Sequence, residues 1–516
     1  HIKARRDQLK AYAMEYYTFL AKEVDVVGSD KHEHFQVDRL PSGDVHVVVR
    51  KMKKDGDKKQ VIFDRLFIYG ETKEIRLYGL GGEDEFEIEG ESGKSIKVRV
   101  IGGPGEDELD DDSKVSGLGK KTVFYDTKNG NVLKLNNESK NKLSDDPEVN
   151  NYDRKAFQYN VLTPLITGNF NPDDGLFVGG GFQLITYGFR KDPFKWKHRF
   201  LGSYAINTAS YNFSYEGILT DFIKNWNLEI MTRLRVPDYT NNFFGIGNES
   251  EFNQNIDETL PLDNAIDFYR LRFEEVMANI GISRWLGAYG QVGISVNYFN
   301  WELQQFDDRP TRVQQFLQDQ NLNFNDQTFN YLGGGLSLIV DTRKSKQLPE
   351  YGILWENKLE TLYGIDTQTE DYHSFNTSLS LYHSFRIPTR LTFAVRTGYG
   401  VNFGDYPFFR AQMLGGREEI RGYRRTRFYG DERFYNNFEV RLKLIRFQTY
   451  LFPASLGILA FHDVGRVWVD GEDSEKWHRG VGGGLWFTPF NRAALSAEVG
   501  HSEEETLFYV RLGFLF

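Results

Sequence analysis

From about residue 155 to the C-terminus, apolar and polar side chains alternate in one segment after another. The last segment is the clearest. Phe508, Val510, Leu512, Phe514 and Phe516 share one face of an extended chain, and Tyr509, Arg511 and Gly513 share the other. Phe438, Val440, Leu442 and Leu444 alternate in the same way with Glu439, Arg441 and Lys443. A half-buried strand of a soluble sandwich would carry the same dyad. Its recurrence instead predicts a wall with lipid outside and a wet lumen inside. A charge on the lipid side costs about 2–4 kcal/mol at the midplane, so Glu439, Arg441 and Lys443 are assigned to the lumen.

Strands are predicted near 156–169, 174–188, 196–207, 209–221, 224–236, 264–284, 286–302, 328–342, 350–366, 371–386, 388–402, 434–446, 454–464, 477–488, 491–501 and 505–516. Some connections are very short and others long, as in barrels with tight turns at one membrane face and long loops at the other. The predicted class is all-β: a transmembrane antiparallel barrel of about sixteen strands, an even number, over 155–516.

Residues 1–150 read differently. A helix is predicted from Arg5 to about Glu23, with Leu9, Ala13, Tyr16, Tyr17 and Leu20 on one side. Strands follow at 34–39, 45–52 and 61–69, the first two joined by Pro41-Ser42-Gly43-Asp44. The stretch from Ile75 to Phe86 resembles that from Val98 to Leu109, about one β-solenoid coil later. The acidic, Ser- and Asn-rich stretches 105–119 and 136–151 are expected to be loop and linker. The expectation is a small, mainly-β periplasmic domain preceded by one helix.

Composition narrows the class. Aromatic residues make up 15% of the 516 positions, with 42 Phe, 28 Tyr and 50 Gly, which suits many strands and interfacial aromatic girdles. The mean hydropathy of −0.52 is that of a soluble protein, but a barrel that alternates faces shares it. No window approaches the roughly 18 apolar residues of a membrane helix. The absence of Cys excludes disulfides and thiolate metal sites, and a net charge of −10 argues against nucleic acid as a partner. The chain opens at His1 with no leader, and a processed or truncated product is expected.

One segment carries more information than the rest. Leu414-Gly415-Gly416-Arg-Glu-Glu-Ile420-Arg421-Gly422-Tyr423 precedes an Arg-rich stretch and then the strand of Glu439-Val-Arg441. Phe461-His-Asp463-Val-Gly465, Val481-Gly-Gly-Gly-Leu485 with Thr488-Pro489, and Asn171-Pro-Asp-Asp-Gly175 complete the set. Together these resemble the outer membrane protein 85 (BamA/TamA-like) superfamily over roughly 155–516. The resemblance implies a loop folded back into the lumen, with Arg421 meeting wall carboxylates at Glu439 and Asp463. It also implies a terminal Phe516 read as a barrel-assembly signal with Phe514 and Phe508, and a location in the bacterial outer membrane with residues 1–150 in the periplasm. Its POTRA delivery domains, each a β-α-α-β-β unit, do not match residues 1–150.

The physics of the loop stands without the family. A guanidinium in a partly wetted lumen is costly unless it meets carboxylates, to which Arg can bind bidentately. Gly422 would allow a sharp turn behind Arg421, and Tyr423 could pack on the wall with its hydroxyl satisfied. The plain alternative is a surface loop rich in Arg. The cluster Arg424-Arg425-Thr-Arg427 is assigned to lumen contact rather than to lipopolysaccharide phosphates.

Gly102-Gly-Pro-Gly-Glu-Asp107-Glu-Leu109 fits the calcium nonapeptide, and Gly79–Glu87 fits it with one mismatch. Only two coils are visible, so a metal-free turn is preferred over Ca2+ at Asp84 and Asp107, and no other cofactor is expected. His462 beside Asp463 cannot form a dyad, since strand neighbours face opposite sides. The expected function is a non-enzymatic barrel that inserts or translocates protein, or lipid. Its expected partners are outer-membrane lipid, client outer-membrane proteins and other assembly or transport subunits. The alternative is an anchor barrel that presents the periplasmic module or an upstream calcineurin-like phosphoesterase domain.

Overall fold

The computed structural model describes all residues except 1, 54–55, 118, 138, 172–174, 255–263, 305–309, 325–326, 367–368, 449, 451 and 491–493, and omits the side chains of 2, 4, 169 and 171. Two compact units are present, His1–Gln158 and Tyr159–Phe516.

The first unit begins with the helix Ile2–Ala21, whose apolar side chains stay in the open: Leu9 is 65% exposed and Leu20 52%. A parallel β-solenoid follows. Strands Glu74–Tyr78, Lys97–Ile101 and Thr122–Tyr125 stack in register on one sheet. Glu33–Arg39, Glu85–Glu89 and Glu108–Asp111 stack on the other. Inward positions alternate along each strand, and Phe35, Ile75, Phe86, Val98, Leu109 and Phe124 form a fully buried core. The stretches expected to be loop and linker contain strands at Glu108–Asp111, Lys114–Val115 and Ser139–Asn141. Their polar side chains misled the reading. In a solenoid the neighbouring coil satisfies the backbone, as Glu108 N to Asp84 O and Asp112 N to Ile88 O show, so a polar sequence can still be strand.

The second unit is a closed antiparallel barrel of sixteen strands. In order they are Val161–Asn171 (β1), Gly175–Thr186 (β2), Trp196–Ala205 (β3), Ser210–Ile223 (β4), Trp226–Asn242 (β5), Arg270–Leu286 (β6), Gly290–Leu303 (β7) and Thr328–Asp341 (β8). Gly352–Gly364 (β9), Tyr372–Arg386 (β10), Arg390–Gly404 (β11), Glu432–Gln448 (β12), Pro453–Trp468 (β13), His478–Pro489 (β14), Leu495–His501 (β15) and Thr506–Leu512 (β16) complete it. The dyad is visible in the burial. Leu495, Val499, Phe508 and Leu512 are exposed on the outer face, whereas Glu439, Arg441, Asp463 and Glu498 are buried inside. Closure is uneven: among the described residues β1 meets β16 through one registered pair, Phe170–Val510, but runs beside β2 from Val161–Ile185 to Asn171–Gly175.

Long connections gather at one end over an aromatic cluster that includes Phe243, Trp301, Phe329, Phe408 and Phe409. Trp301 and Phe409 stack there with ring centres 3.8 Å apart. The short helix Arg312–Asp319 buries Val313 and Leu317 against it, and the Thr311 hydroxyl accepts from Gln314 N to cap that helix. The β11–β12 loop gives Phe408 and Phe409 to that cluster and then runs inward.

Candidate functional site: a loop pinned inside the barrel

The β11–β12 loop is a two-stranded ribbon, Gln412–Leu414 paired with Phe428–Gly430, enclosing a helical turn at Gly416–Glu419. Its tip is tightly bent: Gly415, Gly416 and Gly422 have φ of +127°, +76° and +98°. Gly422 is needed twice over. Its φ is left-handed, and a Cβ there would lie 2.8 Å from the His501 carbonyl carbon and 2.9 Å from Ser502 N. Ile420 is fully buried with Leu414, Tyr423, Phe428, Tyr435 and Val467, so the tip has an apolar foot beside its charged one.

Arg421 has no solvent exposure. Its Nε and Nη2 donate to the two oxygens of Asp463 on β13 at 2.7 and 2.9 Å, and its backbone N donates to the same carboxylate at 3.1 Å. Nη1 donates to Glu439 on β12 at 2.5 Å and to Glu498 on β15 at 3.0 Å. The guanidinium also lies 3.4 Å from the ring centre of Phe461. Charge is balanced nearby: Arg441 binds Glu439 at 2.7 Å, and Arg511 lies 3.4 Å from Glu498. Three guanidinium groups thus face three carboxylates, the condition under which buried ions are tolerable.

The backbone behind Arg421 is held too. Gly422 N donates to the Tyr509 hydroxyl at 3.0 Å, and the Ser502 hydroxyl donates to Gly422 O at 2.8 Å. The Tyr423 hydroxyl reaches Glu503 at 3.4 Å. The basic stretch that follows meets the acidic turn between β15 and β16, with Arg424 on Glu505 at 2.7 Å and Arg427 on Glu504 at 2.7 Å. Arg425 Nε donates to Asn241 at 2.8 Å. Beside the loop a lumenal cavity of about 530 Å³ remains, lined among others by Glu216, Arg233, Arg235 and Glu418.

Ile420, Arg421, Gly422, Tyr423, Gly415, Gly416, Glu439, Arg441 and Asp463 therefore lie together. Sequence reasoning missed Glu498, Tyr509 and Phe461. Glu498 carried a signal, because it alternates with the outward Val499 and Leu495. The run Glu503-Glu504-Glu505 was an acidic complement to the Arg cluster. His462 is exposed while Asp463 is buried, so the two face opposite sides. Of the segment Asn171–Gly175, residues 172–174 lie outside the described residues.

The C-terminus departs from expectation. Phe508 faces out, but β16 ends at Leu512, and Gly513 with φ +113° turns the tail off the strand. Phe514 and Phe516 therefore do not share the outer face. Phe514 sits edge-on to Trp486, Arg441 lies 4.1 Å from its ring centre, and Arg441 Nη2 donates to Phe516 O at 3.0 Å. The lumenal cations outcompete continued alternation.

Asp84 and Asp107 fall in the other unit, on adjacent coils, where Asp84 N donates to Asp107 Oδ1 at 2.8 Å. Burial, with acidic neighbours, pushes Asp84 up to about 8, and does the same to Asp126. Among the described residues, no three His, Cys, Asp or Glu side chains gather to hold a metal ion.

Comparison with known proteins gives three findings. A family model described as the Omp85 superfamily domain matches residues 233–500. No curated protein matches the sequence. Among solved structures, BamA from Haemophilus ducreyi lacking POTRA domains 1–3 is similar at 12% identity and a TM-score of 0.49, over 69% of this chain and 70% of that one. CdiB from Acinetobacter baumannii follows at 14% identity and 0.44, over 69% and 60%. CdiB from Escherichia coli stands at 12% identity and 0.47, over 70% and 64%. Both CdiB matches span less than two thirds of the CdiB chain.

Proposed function

The chain belongs to the Omp85 superfamily, an outer-membrane β-barrel with its N-terminal unit in the periplasm, and from that premise we propose that it inserts or translocates polypeptide at the outer membrane. The observation that carries the reading is the loop pinned in the lumen by Arg421. A loop so held obstructs free diffusion and disfavours a passive porin. The β1–β16 seam, with one registered pair among the described residues, is a second support, since a short ladder offers little resistance to opening toward lipid. The barrel acts without catalysis in this reading: its work is to place a lipid-facing edge and a lumen beside a client strand. Outer-membrane lipid and client outer-membrane proteins are the partners, with other assembly or transport subunits.

A second reading has its own observation. The N-terminal unit is a parallel solenoid rather than a β-α-α-β-β unit, which favours a barrel that anchors this module, or an upstream phosphoesterase-type domain, at the membrane. Depletion separates the two. If the chain inserts proteins, other outer-membrane proteins fall in abundance and their unfolded forms collect in the periplasm. Unchanged levels would reject insertion and leave the anchor.

A further inference from the structure

The solenoid contains a ladder that the barrel's function does not use. Glu33 N donates to Asp84 Oδ1, Asp84 N to Asp107 Oδ1 and Asp107 N to Asn131 Oδ1, one rung per coil, at 2.8, 2.8 and 3.0 Å. Each rung uses only one oxygen. Asp84 Oδ2 has no hydrogen-bond partner, and Asp107 and Asp126 turn their Oδ2 atoms on each other, although the three residues are 2%, 2% and 0% exposed. They point at glycine corners. The position that a Cβ on Gly102 would take is filled by Oδ2 of both Asp107 and Asp126, so one ion could bridge these two oxygens. At Gly79 the same position is crowded by Asp84 Oδ2 and, at 2.6 Å, by the Gly102 carbonyl oxygen.

Carboxylates this deep must be paired, hold a cation or become neutral. The other charged groups acting on them, Glu33 and Glu83, are acidic and only deepen the deficit. Every available donor is oxygen, which selects a hard cation. Mg2+ keeps several waters in its shell, which suits an enclosed corner poorly, whereas Ca2+ accepts a flexible set of carboxylates and backbone carbonyls.

We propose that the solenoid binds a Ca2+-class divalent cation between Asp107 and Asp126, with backbone carbonyls of that corner completing the shell, while Asp84 and the Gly102 carbonyl form the equivalent corner on the next coil. The side chains thus supply two ligands at the ion and the backbone supplies the others. Asp126 comes from a third coil, Asp126-Thr-Lys-Asn-Gly-Asn131, which does not fit the nonapeptide. The sequence pattern alone therefore showed only half of the bridge.

The test uses the full chain in detergent after EDTA treatment, titrated calorimetrically with CaCl2 or MgCl2, with hydrogen exchange followed over 79–131. Ca2+ is expected to bind at least tenfold more tightly than Mg2+ and to slow exchange in that segment. Asp107→Asn and Asp126→Asn are isosteric and relieve repulsion, so the unit should stay folded without metal yet lose at least tenfold in Ca2+ affinity. Glu89→Gln, an exposed solenoid substitution, should leave binding unchanged. Absence of Ca2+ binding to the parent chain, with the Asn variants merely more stable, would overturn the site in favour of a shared proton. An undiminished Ca2+ response in Asp126→Asn would overturn it as well.

Discussion

Arg421→Ala should release the inward loop. Asp463 would lose the Nε and Nη2 bonds at 2.7 and 2.9 Å and keep two neutral donors, the Asn437 amide at 2.9 Å and the backbone N of residue 421 at 3.1 Å. Glu439 would retain Arg441, and Glu498 would retain Ser496 and Arg511. The main loss is thus one buried carboxylate left without a cation. Removing one partner of a buried pair costs about 3–5 kcal/mol, which moves an opening equilibrium roughly 100- to 5,000-fold. The native chain has no Cys, so Leu414→Cys, at a fully buried loop position, provides a single reporter. Maleimide labelling of that thiol in detergent-solubilised barrel follows the open population when closing is fast. With Arg421→Ala the labelling rate should rise by at least about tenfold, since the Arg424, Arg427 and Tyr509 contacts persist and absorb part of the effect. Adding Asp463→Asn should recover part of the closure by neutralising the stranded carboxylate. A labelling change below about threefold in a folded barrel, or no recovery in the double variant, would refute the clamp.

Glu439→Gln and Asp463→Asn should each raise protease access to 410–432, but less than Arg421→Ala, because Arg421 keeps two carboxylates in either case. Gly422→Ala should also loosen the loop without touching a charge. Its φ of +98° and close backbone neighbours imply about 1–3 kcal/mol of strain, read as faster loop proteolysis with barrel circular dichroism intact. Deleting Phe516 should lower the temperature at which the barrel loses its compact, heat-modifiable gel mobility, since Arg441 and Arg396 lose their contacts with the tail. An unchanged transition would show that the inward tail contributes nothing to closure.

The site was legible to different depths. Arg421, Glu439 and Asp463 could be read because their short motifs resemble those of the superfamily, and strand parity independently put Glu439 on the lumenal face. Parity puts Glu498 and Tyr509 on the lumenal face, but nothing local says that they stand opposite Arg421. Asp126 was missed for a related reason. Solenoid stacking places it over Asp107, while its own sequence lacks the repeat.

The sequence by itself determined the barrel. A period of two, repeated about sixteen times with charges on one side, has a low-energy solution only where lipid and water lie on opposite faces of a closed wall. It also determined that Arg421 needs carboxylates, since a desolvated guanidinium has no other stable partner. Only the tertiary structure added Glu498 to the two carboxylates that the resemblance implied. Barrel closure brings β12, β13 and β15 around one loop tip, and no short-range pattern encodes that angular arrangement. It likewise decided the fate of Phe516. The alternation predicts an outward ring, but one left-handed glycine and two lumenal arginines turn the chain end inward.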